Sequence, residues 1–156
     1  MEKKFELTDK FVFNTFGIKL FQIKCTKSFK YAKEGDLGGY VEKDENLDQE
    51  SNAWVSGDAW VYGDARVYGD ARVSGDADIE NDNNHCGFDC FGSCNRHTHA
   101  YLTKDNKVEI TCGCFRGSIE EFEKKVEKTH SGKIYEKQYK AIINAIKIKF
   151  GLTDLI

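Results

Sequence analysis

Proline is absent from the 156-residue chain. Every turn must therefore be made by residues that tolerate unusual backbone angles, and 14 glycines with many Asn and Asp residues supply them. No run approaches the roughly 18 apolar residues of a membrane span. Residues Met1 to Lys4 are charged and lead into no apolar stretch, which predicts no secretory leader and a cytosolic protein. The six cysteines contain no CxxC pair, so they follow no standard zinc-finger spacing. None of the four histidines precedes residue 85.

What is present argues for an ordered chain. A hydrophobic content of 40% and an aromatic content of 13% exclude the composition of a disordered segment. The net charge of −3 hides an asymmetry. Residues 1–34 carry eight Lys against four acidic residues, net +4. Residues 35–82 carry thirteen acidic against three basic residues, net −10, and residues 83–156 twelve basic against nine acidic, net +3. An acidic body thus lies between mildly basic ends.

From Ala53 the chain reads AWVSGD, AWVYGD, ARVYGD, ARVSGD, ADIEND. Val55, Val61, Val67, Val73 and Ile79 recur every six residues, and Ala59, Ala65, Ala71 and Ala77 follow the first four of these. A period of six fits neither a helix nor a meander. It predicts a parallel β-helix over 37–82 with the branched residues inside. Gly-Asp makes the corner, and residue i stacks on i+18 at about 4.8 Å. Trp54 then sits beside Arg72 as a cation–π pair. Trp60, Tyr62 and Tyr68 face outward as a contact surface. Asp58, Asp64 and Asp70 serve the corners or form a charged rail.

Residues 1–36 read as a β-rich cap with a break at Phe16-Gly17. Residues 35–52 read as an irregular first coil, with Leu37, Val41 and Leu47 feeding the interior. Residues 83–156 read as a Cys/His-rich α+β domain. Strands HTHAYLTK and KVEITCGCF are joined by a tight turn at Asp105-Asn106. A helix starts at Ser118 with the capping box Ser118/Glu121, and a second runs from Tyr135 to Phe150.

The run GDLGGYVEKDENLDQESNAWVSGDAWVYGDARVYGDARV resembles the hexapeptide-repeat proteins of bacteriophages and prophages. The stretch FGSCNRHTHAYLTKDNKVEITCGCFRGSIEEFEKKVEKTH resembles the tail domain that often follows those repeats. The resemblance covers nearly the whole chain. It implies a left-handed β-helix, a phage or prophage origin and no established enzymatic activity. The array is short, under three coils. The tail adds His85, Cys86, Cys90, His97 and His99 to the family's Cys-Gly-Cys-Phe.

With the two-residue turn, His99 pairs with Cys112 and His97 with Cys114, all on one face. Thiolates with imidazole suit a structural zinc ion, held by Cys112 and Cys114 with partners among Cys90, Cys94, His97 and His99. The alternative is free buried thiols. His130 follows a helix C-terminus, where a cation is favoured by the dipole, and reads as structural.

Hexapeptide acyltransferases and carbonic anhydrases use a histidine on or between coils, and this repeat has none. The expectation is therefore a non-enzymatic phage accessory protein in the bacterial cytoplasm. It binds a host protein with a basic surface, such as a CRISPR effector nuclease, without contacting nucleic acid directly. The alternatives are a self-associating scaffold protein and a hexapeptide-type acyltransferase or metal-dependent hydrolase.

Overall fold

The computed structural model describes residues 2–152, which divide into two compact units at Asn84/His85. In the first unit, β1 (Phe5–Phe13) and β2 (Lys19–Cys25) form an antiparallel hairpin. Its turn is held by Asn14, whose Oδ1 accepts from the Phe16 and Ile18 amides, both at 2.9 Å. β2 pairs antiparallel with β3 (Leu37–Val41). Two repeat strands, β5 (Trp60–Val61) and β7 (Asp78–Ile79), then add in parallel, giving a sheet of order β1-β2-β3-β5-β7. β4 (Trp54–Val55) and β6 (Arg72–Val73) form a separate parallel pair.

This arrangement corrects the expected left-handed β-helix. The repeats form two-residue strands divided between a five-stranded mixed sheet and a two-stranded one. The physical reason lies in β3, which is bonded to the antiparallel hairpin on one side and to a repeat strand on the other. The repeat is thus continuous with its expected cap. What holds is a mainly β unit, followed by a unit carrying two helices.

The repeat's chemistry operates locally. Val55, Val61, Val67, Val73 and Ile79 are all 0% exposed, each burial contributing about 1.5–3 kcal/mol. The eighteen-residue spacing sets the parallel register, with Val55 on Val73 and Val61 on Ile79. Each corner closes when an Ala amide donates to the carbonyl three residues back, as in Ala65 to Tyr62 at 3.2 Å. Gly63 stands at φ +59°, and a Cβ there would lie 2.4 Å from the Glu80 carbonyl oxygen. Leu37, expected inside, is 59% exposed, while Val41 and Leu47 are buried. Trp54 does lie beside Arg72, but its ring meets Phe29 edge-on at 5.3 Å, and the Arg72 guanidinium covers Tyr31 at 4.6 Å.

The second unit is an antiparallel sheet of order β11-β10-β9-β8. Its strands are β8 (His85–Phe91), β9 (Arg96–Leu102), β10 (Val108–Cys112) and β11 (Phe115–Ser118). The sequence led us to expect a two-stranded hairpin; β8 and β11 extend it on both sides. Helices α1 (Ile119–His130) and α2 (Ile134–Lys149) cover one face. Ser118 and Glu121 form the anticipated capping box, each side chain bonded to the other's amide at 3.1 Å. Ala100 and Ile110 pack against Ile119, Phe122, Ile142 and Ile146. No helix among the described residues is long and apolar enough to cross a membrane.

Candidate functional site

The turn between β9 and β10 decides what the second unit displays. Leu102 pairs with Val108, and the Asn106 amide donates to the Thr103 carbonyl at 3.0 Å, leaving Lys104, Asp105 and Asn106 as the loop. Asn106 takes φ +62°, the left-handed residue of a three-residue hairpin loop. The expected two-residue turn would pair His99 with Cys112. The observed partner of Cys112 is Thr98, and that of His99 is Thr111. One residue of register moves side chains to the opposite face of a sheet. The expected metal set is accordingly divided. Cys112 faces the helices, whereas His97 and His99 belong to the other face.

On the helix side lies a cleft of about 360 Å³, lined by Arg96, Cys112, Cys114, Phe115, Arg116, Phe122, Lys125, Val126, Thr129, His130 and Tyr139. Arg96 is one of its exposed lining residues. A Cβ on Gly113 would fall 2.1 Å from Arg96 Nη1, so the guanidinium rests on bare backbone between the two cysteines. Its Nη2 donates to Cys94 Sγ at 3.7 Å. Cys94 is exposed, and its thiol pKa is lowered by the Ser93 hydroxyl and by Arg96. Cys112 is buried, accepts from Thr98 Oγ1 at 3.3 Å and lies 3.7 Å from the Tyr139 hydroxyl. Burial, followed by Cys112, raises the Tyr139 pKa. The His130 ring stacks on Tyr139 with centroids 5.6 Å apart. Cys114 is exposed at the cleft, and Cys90 is exposed within β8, at φ +67° in the irregular stretch between Phe88 and Phe91.

On the opposite face, three imidazoles form a hydrogen-bonded line. His85 Nδ1 is 2.9 Å from His99 Nε2, His99 Nδ1 is 2.9 Å from His97 Nε2, and His97 Nδ1 is 2.5 Å from Asp89 Oδ1. With neutral rings and an ionised Asp89, one tautomer set satisfies all three bonds, every ring carrying its proton on Nδ1. His85 then donates to His99, His99 to His97, and His97 to Asp89. His99 is buried, and its pKa is held well below the ordinary imidazole value, first by desolvation and then by His85 and His97. Gly87 makes the line possible: a Cβ there would sit 2.5 Å from His97 Cε1 and 2.8 Å from His99 Nδ1. Among the described residues, no three His, Cys, Asp or Glu side chains are arranged to hold a metal ion.

The expected contact residues of the first unit also separate. Tyr62 is buried, and its hydroxyl donates to Asp78 at 2.7 Å. Trp60 is half-buried and packs against the cluster of Leu20, Tyr40 and Tyr62. Of the three aromatics only Tyr68, at 62% exposed, is well open to solvent. Asp58 and Asp64 are exposed, while Asp70 is half-buried and accepts from Asn52 Nδ2 at 3.3 Å. Sequence reasoning missed Arg96, Tyr139, Gly87 and the placement of His130. The glycine between Cys112 and Cys114 was the available signal for Arg96, but only the fold supplies the arginine that rests on it. No protein-family model and no curated protein sequence matches the chain.

Proposed function

We propose that the chain is a non-enzymatic accessory protein that binds a partner with a basic surface through the corners of its repeat. The observation that carries this reading is the sorting within each hexad. The branched residue is buried without exception, while Asp58, Asp64 and Asp76 at the corners are exposed. The net charge of −10 over residues 35–82 thus has an outlet at the surface. Such a field repels nucleic acid and steers the chain toward a cationic groove. A host enzyme that handles nucleic acid, such as a CRISPR effector nuclease, fits that description, and the site of action is then the bacterial cytoplasm. Tyr68 is the exposed aromatic anchor in this reading. The test compares wild type with the triple variant Asp58→Asn, Asp64→Asn, Asp76→Asn in capture from bacterial lysate at low and high salt. The expected result is a discrete basic partner, released by salt and lost in the variant. Equal capture by both proteins at both salt concentrations would contradict it.

A second reading, self-association, is favoured by one feature. β1 is an edge strand, and its hairpin exposes Phe11 at 44%, Phe13 at 60% and Phe16 at 73%. Sedimentation over a range of concentrations tests it: a single monomeric species throughout removes this reading.

A further inference from the structure

We infer that the cleft between the cysteine-bearing strands and the helices of the second unit binds a small organic anion with a flat apolar body. The charge of the lining decides the sign of the ligand. Its Arg and Lys side chains are Arg96, Arg116 and Lys125, and no Asp or Glu is among its lining residues. Arg116 is partly offset by Glu109, whose carboxylate lies 3.7 Å from its Nε. Arg96 is held against Gly113, so its guanidinium is placed before any ligand arrives. A prepositioned planar fork favours carboxylate or phosphate.

The walls decide the rest of the ligand. Phe122 meets the Tyr139 ring edge-on at 5.5 Å, and His130 stacks on the same ring, which makes one side of the cleft an aromatic shelf. A volume of about 360 Å³ is at the small end of ligand pockets, enough for a single substituted ring. Three cation-bearing elements, β9, β11 and α1, and an aromatic shelf therefore converge on one space. This inference is independent of the acidic repeat, which belongs to the other unit.

The test titrates the full chain with phenylphosphate and benzoate, with inorganic phosphate and benzyl alcohol as the charge-only and ring-only probes, followed by amide chemical shifts. Both aromatic anions should bind saturably and shift residues of α1 and β10. Inorganic phosphate and benzyl alcohol should each bind at least about tenfold more weakly, as expected when one of two contributions is lost. Arg96→Gln should weaken phenylphosphate about tenfold, the loss of one charge-assisted contact. Lys125→Gln, an exposed helical position, serves if the first variant does not fold, and should weaken binding in the same direction. Phenylphosphate should also slow alkylation of Cys114 by iodoacetamide while leaving Cys90, outside the cleft, unprotected. Failure of both aromatic anions to bind overturns the inference. So does binding that is indifferent to both substitutions, binding of benzyl alcohol as tight as that of phenylphosphate, or equal protection of both cysteines.

Discussion

In the first unit a branched side chain recurs at the same place, and the corners at Gly57, Gly63, Gly69 and Gly75 are the same glycine turn. In the second nothing recurs, and side chains are sorted by alternation across a single sheet, Cys86 and Cys112 toward the helices and His85, His97 and His99 away from them. The difference teaches where information resides. A repeat states its own register, because the eighteen-residue spacing of paired strands is three times the six-residue spacing of like residues. A hairpin states its register only through its turn. Miscounting that turn by one residue exchanges the two faces.

The largest expected effect breaks the repeat. Val67→Asp places a carboxylate where exposure is 0%, and the cost of an unpaired buried charge is at least several kcal/mol. Thermal melting by circular dichroism should show the loss of the folded first unit. Tyr68→Asp, one residue along and 62% exposed, should leave melting nearly unchanged. Equal tolerance of the two substitutions would dissolve the contrast between inward and outward positions.

The matching change in the second unit is Gly87→Val. Its side chain would enter the space between His97 and His99, at an expected cost of about 1–3 kcal/mol for overpacking. Nitrogen-15 spectra of the imidazoles should lose the pattern of three Nδ1-protonated rings. Retention of that pattern with an unchanged melting temperature would show that Gly87 has no such role.

The two units also differ in what was legible. Val55 to Ile79, the Gly-Asp corners and the Ser118 capping box follow from local spacing, and the structure places all of them as read. The global shape did not follow, because the chain feeds an antiparallel hairpin into β3 and the repeat strands are only two residues long. Tyr62 was misread because the outward side of a repeat strand is not solvent when β1, β2 and β3 extend the same sheet around it. The expected pairing of His99 with Cys112 does not form because the turn contains one more residue, Asn106. Arg96 was not legible for another reason: it reaches the Cys112–Cys114 segment only because β9 pairs with β10 and brings positions distant in the chain together.

A smaller effect concerns pH. The unfolded His99 takes up a proton below about pH 6.5, whereas the folded residue resists it. The unfolded state therefore binds more protons in acid. Stability is complete above that pH and falls as pH is lowered, by at most about 1.4 kcal/mol per pH unit from this residue. Denaturant unfolding at stepped pH measures the slope, and His99→Gln should flatten it. An unchanged slope in that variant would assign the acid sensitivity elsewhere.

The smallest effect is chemical. Arg96→Gln removes a cation that lowers the Cys94 thiol pKa, so alkylation of Cys94 at neutral pH should slow while Cys90 reacts as before. Mass spectrometry of iodoacetamide-treated protein reads both rates in one sample. Unchanged Cys94 reactivity would place the guanidinium elsewhere.

The measurement that tests the sorting of the two faces most directly is the pattern of cross-strand nuclear Overhauser contacts between β9 and β10. Backbone contacts joining Thr98 to Cys112 and Ala100 to Ile110 are the predicted result. Contacts joining His99 to Cys112 as directly paired residues would contradict it, return thiols and imidazoles to one face and restore the zinc set that the observed register divides.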